Sequence, residues 1–171
     1  MPAEAIVISR FLGTSRDSGS SRRLMGSVIQ QLHRVIKNSK DITVPADIDR
    51  VTLHFKRALA MGTAAAPVVL VLDSLDQLSD EDQGRKLSWL PLAELPEHCY
   101  VVLSTLPDVG GCWDVIKGNV PADNCATVAS MTADDADSVL TSWLQLAKRT
   151  VTPAQRAALL GAHAACPTPL F

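Results

Sequence analysis

The chain is 171 residues long, with 47% hydrophobic and 20% charged side chains and a formal net charge of −2. That length suffices for one domain with a real core, and the composition excludes a disordered polymer or a disulfide-rich miniprotein. No apolar run approaches the roughly 18 residues of a membrane span, and the charge does not mark a dedicated nucleic-acid binder, so neither lipid nor nucleic acid is an expected partner.

Charge is unevenly spread. Residues 1–60 hold 10 Lys/Arg against 5 Asp/Glu, and residues 61–171 hold 6 against 13. Solvated faces of opposite sign account for this without a partner. Cys99, Cys112, Cys125 and Cys166 form no C-x-x-C pair, and nothing at the N-terminus reads as a signal peptide, which points to free thiols in a reducing cytoplasm. His163 and Cys166 stand three apart, without the second ligand pair that a structural metal site needs.

In chain order, Ala5 to Thr14 (AIVISRFLGT) is short, β-branched and apolar, and stops at a Ser/Asp/Gly-rich turn, as a buried strand does. From Ser20 to Asn38 the apolar residues Leu24, Val28, Ile29, Leu32, Val35 and Ile36 recur at three- and four-residue steps, which predicts an amphipathic helix. A second helix is expected over Ala46 to Met61. Pro67 to Leu72 (PVVLVL) then runs continuously apolar into Asp73, the signature of a parallel strand buried on both faces. Residues 83–92 predict a short helix and His98 to Thr105 another buried strand, with Asn124 to Ala129 a weaker strand candidate. Thr132 caps a helix to Lys148 whose first turn holds Asp134 and Asp135, where the dipole favours negative charge. Thr152-Pro153 opens a last helix to about Ala165.

This alternation argues an α/β fold with a parallel sheet flanked by helices on both faces. The all-helical patterning after residue 130 divides the chain into an α/β domain over 1–130 and a small helical lid over 131–171.

The chemistry is concentrated in VVLVLDSLDQL (Val68 to Leu78). A strand ending in an aspartate puts a carboxylate at the C-terminal edge of a parallel sheet, where open α/β folds bind ligands. In P-loop enzymes that position, Walker B, holds Mg²⁺ against nucleotide phosphates. Asp73 is therefore the candidate metal ligand. Small Ser74 leaves room for a phosphate, and Asp76 is a candidate catalytic group to orient a water. Ser104 and Thr105 end the next strand, where hydroxyls suit a sensor of the γ-phosphate. A thiol enzyme is disfavoured, because His98 and Cys99 face opposite sides of a strand and no nucleophile elbow is present.

Taken in order, RFLGTS (Arg10–Ser15), VLVLDSLDQL, LSWLP (Leu87–Pro91), LP…VVLST and CPTPLF (Cys166–Phe171) resemble successive blocks of the NACHT ATPase domain, above all in nephrocystin-type proteins and NACHT proteins with WD repeats. The resemblance implies a signal-transduction ATPase of P-loop type, in which ATP or ADP with Mg²⁺ switches a larger protein between closed and oligomer-competent states. It implies Asp73 as the Mg²⁺ aspartate, Asp76 as the first of two downstream acids, Ser104 and Thr105 as the sensor, and Pro169 as the lid proline against adenine. Implied partners are the nucleotide, further domains such as WD or tetratricopeptide repeats, and other copies of the chain.

Three departures stand against this. No G-x-x-x-x-G-K-[ST] occurs, and Gly13 to Ser21 (GTSRDSGSS) has neither the spacing nor the lysine. Gln77 stands where the family often has a second acid, and Leu106 where many relatives have arginine. The resemblance thus implies a piece lacking the first strand and the phosphate loop, inactive alone. A pseudo-ATPase interaction module is the alternative.

Overall fold

The computed structural model describes residues 4–15, 17–39 and 42–165. Two compact units divide it, Met1–Cys125 and Ala126–Phe171.

In the first unit, three parallel strands lie in the order β1 (Ile6–Phe11), β2 (Val68–Asp73), β3 (Cys99–Leu103). Ile6 pairs with Val68 and Phe11 with Asp73, while Val68 pairs with Cys99 and Leu72 with Leu103. The continuous Val/Leu run of β2 thus becomes the middle strand, paired on both sides.

Between β1 and β2 come α1 (Ser21–Lys37) and α2 (Ile48–Leu59). Each starts where a side chain satisfies an orphan amide: Ser20 accepts from Arg23 N and Asp47 from Arg50 N. Helix α1 stops at Asn38, which takes the left-handed conformation at φ 50°. The spacing read from the sequence is realised, since Leu24, Met25, Val28, Ile29 and Leu32 are buried against Ile8, Leu70, Val51 and Phe55 in one core. Phe55 meets Trp89 edge to face, with centroids 5.7 Å apart, and Trp89 Nε1 donates to Gly84 O, so the indole satisfies its polar end while burying its ring.

Three expectations are corrected here. Residues 83–92 are not an α-helix. Glu81–Lys86 is a 3₁₀ segment broken by positive φ at Asp82 and Gln83, and Leu87 follows at φ 53°; Pro91 further disfavours helical geometry at Leu90. Asn124 to Ala129 holds no strand; Ala122–Asn124 is a 3₁₀ turn and the chain then runs without regular structure. Helix α3 (Cys112–Asn119) was not anticipated. Its start carries Gly110-Gly111, with Gly111 as an N-cap at φ 74° making no side-chain bond, so the sequence reads there as turn.

Both-sided cover is the other departure. Ile8, Val68, Leu70 and Leu72 are fully buried, yet on the opposite face Val7 is 56% exposed, Phe11 60%, Tyr100 58% and Val102 55%. Helices α1 and α2 cover one face only, and the other is apolar too, with Val69 and Val71 half-buried in its middle, the composition usual for parallel-sheet strands.

In the second unit, α4 (Ala133–Leu146) and α5 (Pro153–Ala165) pack together. A capping box joins Thr132 and Asp135, and Arg156 clamps Asp137 at 2.7 Å. The hydrogen bond from Arg156 holds the Asp137 carboxyl below its ordinary range. A depressed carboxylate contributes stability above the unfolded pKa and loses it as pH falls through the folded one, so this staple weakens on acidification.

The asymmetry of the sheet predicts unequal mutational costs. Phe55→Ala is expected to lower unfolding free energy by about 3–5 kcal/mol, and Tyr100→Ser by less than about 1 kcal/mol, as read from urea denaturation midpoints. Equal costs would mean that the Tyr100 face is packed.

Candidate functional site

Strand β2 delivers Asp73 to the C-terminal edge of the sheet, and the parallel register sets Leu103, the last residue of β3, beside Leu72. Ser104 therefore emerges level with Asp73. Its backbone N–H donates to Leu72 O at 3.0 Å, and its carbonyl accepts from Leu75 N at 2.9 Å.

The Ser104 side chain closes the arrangement. Its hydroxyl donates to Asp73 Oδ1 at 2.5 Å and accepts from Ser74 N at 2.8 Å, using a hydroxyl's capacity as both donor and acceptor. Ser74 itself sits at φ 64°, ψ 55°, a left-handed conformation that a serine adopts at some cost. The bond to Ser104 offsets that cost and turns the chain sharply after Asp73. Two predicted site residues, Asp73 and Ser104, are thus brought into direct contact. Thr105 is half-buried and its hydroxyl donates to Leu106 O at 3.3 Å. Pro169 lies outside the described residues.

Asp76 is placed differently from Asp73. It is 5% exposed, with Oδ1 accepting from Leu106 N at 3.2 Å and Oδ2 from Gln77 Nε2 at 2.7 Å. Oδ1 thus ties the turn after β2 to the exit of β3, while Oδ2 is held by the neighbouring side chain within that turn. Gln77 has a second part: a Cβ on Gly13 would come within 2.8 Å of its Cγ, and Gly13 has φ 73°. Gln77 so packs on the bare backbone after β1, where only glycine fits. Leu12 N donating to Asp73 O at 3.0 Å holds that loop to the same edge.

Arg85, which carries no motif signal, holds these turns together. Its Nε donates to Leu78 O at 2.6 Å and its Nη2 to Asp76 O at 3.4 Å, so one guanidinium fork satisfies two carbonyls of the Asp76 turn. Cys112, at the start of α3, directs its thiol at Leu75 O and Arg85 O. Burial raises its pKa against the pull of Arg85, and burial pushes the Cys99 thiol up to about 11. Neither thiol is an activated nucleophile.

The donors at this edge, a half-buried carboxylate and a neighbouring hydroxyl, are the hard oxygens that Mg²⁺ prefers, and that ion keeps most of its shell as water and phosphate. They fit a magnesium ion; nothing in these 171 residues matches the glycine-lysine loop that holds phosphates. Among the described residues no group of three or more His, Cys, Asp or Glu side chains could hold a metal by itself, and no helix is long and apolar enough to cross a membrane.

Comparison with known proteins adds an independent line. No family model matches the sequence, and no solved structure matches it at a significant level. NACHT and WD repeat domain-containing protein 2 of Mus musculus is 34% identical over an alignment of 173 positions that covers 99% of this chain and 10% of that protein. The protein of the same name from Homo sapiens is 34% identical over the same share. The likeness is to NACHT proteins with WD repeats. It extends over essentially the whole chain, which supports kinship with a NACHT-containing family, while the chain spans about a tenth of the length of these relatives.

Two outcomes check the geometry. Asp76→Ala is expected to cost about 1–2 kcal/mol, since it removes the buried carboxylate that accepts from the Leu106 amide and the Gln77 side chain; a loss below about 0.5 kcal/mol in urea unfolding would show that the clamp does not matter. At pH 8, Cys99 and Cys112 are expected to resist iodoacetamide in the folded chain and react on unfolding; mapping of native-state modification to either cysteine by mass spectrometry would contradict their burial.

Proposed function

We propose that this chain is the part of a NACHT module that carries the Mg²⁺-binding strand of a larger cytoplasmic signalling protein, and that it engages ATP or ADP only when a strand and phosphate loop complete its site. The observation that carries the reading is the Asp73–Ser104 contact at the C-terminal edge of adjacent parallel strands. It sets a carboxylate beside a hydroxyl where a metal-bound γ-phosphate is sensed in P-loop enzymes.

The open edge and the bare face have a common explanation. Right-handed crossovers that step from β1 to β2 to β3 all lay their connections on one face, the face of α1 and α2. A strand beside β3 whose connection runs back across the sheet to β1 would, by the same handedness, lay its helix on the opposite face. One strand–loop–helix unit would therefore pair the free edge of β3 and cover Val7, Phe11, Tyr100 and Val102. Its loop would open at the same C-terminal edge as Asp73.

In that completed site Asp73 would hold the metal, which supplies charge neutralisation to the phosphates when bound. The Ser104 hydroxyl fixes the orientation of the Asp73 carboxylate and can donate to a phosphate oxygen instead. Thr105 would stand next to this sensor, and Pro169 would be the adenine contact of the lid. Asp76, its oxygens taken by Leu106 N and Gln77 Nε2, acts on the site through position: it holds the β3 exit where Ser104 reaches Asp73.

A second reading is favoured by that same feature. Asp76 is buried and used as a clamp and position 77 is a glutamine, so neither offers a free carboxylate to activate water beside Asp73. The module would then bind nucleotide without turning it over and serve assembly.

The deciding experiment uses the chain within its parent protein, extended to include a phosphate loop, and follows a fluorescent ATP analogue with and without Mg²⁺. Asp73→Asn is expected to weaken Mg²⁺-dependent binding by at least about tenfold, a loss of about 1.4 kcal/mol, with Mg²⁺-independent binding little changed. Unchanged affinity would remove Asp73 from the site. Binding without phosphate release would select the assembly reading.

A further inference from the structure

Two depressions in the first unit differ in how their charges are used. One is lined by Arg22 and Arg23 at the start of α1, but its cations are already answered: Arg22 pairs with Glu81 and Asp82 at 3.2 and 2.9 Å, and Arg23 with Asp17 at 2.8 Å. The other is a groove of about 480 Å³ between the end of α2, the irregular stretch 86–96 and α3. Leu90 forms part of its wall with 3% exposure, and the half-buried Pro91, Leu92 and Val115 extend that apolar lining outward. Lys56 and Lys86 stand on its rim. Among the described residues neither lysine has a carboxylate within 4.0 Å.

An apolar floor with two unanswered ammonium groups above it is the complement of an acidic segment with apolar anchors. We propose that this groove docks an acidic peptide segment of a partner protein, its aliphatic side chains seated against Leu90, Leu92 and Val115 and its carboxylates meeting Lys56 and Lys86. The irregular stretch carries the walls without using them in a helix or strand. Glu94, exposed on the same rim, opposes an acidic ligand and limits its affinity. Neither Asp73 nor Ser104 lines the groove, so docking there does not depend on the nucleotide reading.

The test uses the 171-residue chain and two fluorescein-labelled ten-residue probes, one of alternating Leu and Glu and one of alternating Leu and Gln, followed by anisotropy. The Leu/Glu probe is expected to bind more tightly than the Leu/Gln probe, and to lose that advantage in about 0.5 M salt, where screening acts within about 4 Å. The double variant K56E/K86E is expected to weaken it by about tenfold or more, and Glu94→Gln to strengthen it about twofold. Circular dichroism establishes that each variant is folded. Tyr100→Glu with Val102→Glu, on the bare sheet face, should leave binding unchanged; loss of binding in that variant alone would move the site to the sheet and overturn the proposal. It is overturned equally if both probes bind alike, if neither binds, or if K56E/K86E has no effect. A concentration-dependent dimer that K56E/K86E abolishes would assign the groove to a second copy of the chain instead.

Discussion

Everything in the first unit hangs on β2 being paired in parallel on both sides. Its six residues alternate buried and half-buried, with Val68, Leu70 and Leu72 at zero exposure. A parallel strand cannot find its partners through a short hairpin, so the intervening chain must cross over and pack on the way. That requirement makes α1 and α2 the roof of one face. It also sends all three strands to the same edge, where their last residues meet.

Because the strands end together, the chemistry of that edge is a matter of register. The pairing of Leu72 with Leu103 sets Ser104 level with Asp73. A shift of one residue would turn the Ser104 side chain to the other face of the sheet. Three layers of interaction protect the alignment: the backbone bonds of Ser104 to Leu72 and Leu75, the Asp76 clamp on Leu106, and Arg85 beneath the Asp76 turn. The polar groups nearest Asp73 are therefore held in place by the fold itself.

The bare sheet face and the apolar groove are different kinds of exposure. On the face, Val7, Phe11, Tyr100 and Val102 form a broad surface with no answering charge, as expected where a helix layer is to be laid. In the groove, concave apolar walls carry two free lysines, a pattern that selects by charge as well as by shape. On the readings proposed above, the first would be covered by a further layer of the fold and the second would take a partner.

The sequence by itself determined the strands of the sheet, the first two helices and the last two, because each writes a strong local signal: the unbroken PVVLVL run, the three-four spacing of Leu24 to Ile36, the Thr132 cap and the Thr152-Pro153 start. It also pointed to Asp73 and Ser104, since residues at strand ends share an edge whenever the sheet is parallel. Tertiary structure alone decided the rest. Residues 83–92 lost their expected helix to left-handed turns that aim Trp89 at Phe55 and Arg85 at the Asp76 turn, and α3 formed behind two glycines that read as a loop. Whether a strand's second face is covered depends on which elements cross it, and the apolar pattern of β2 is the same in either case. The fate of Asp76 was likewise undecidable from its spacing: two residues of sequence separate the half-buried Asp73 carboxylate from a buried clamp, and only the position of the Leu106 amide, brought in by the chain leaving another strand, makes the difference.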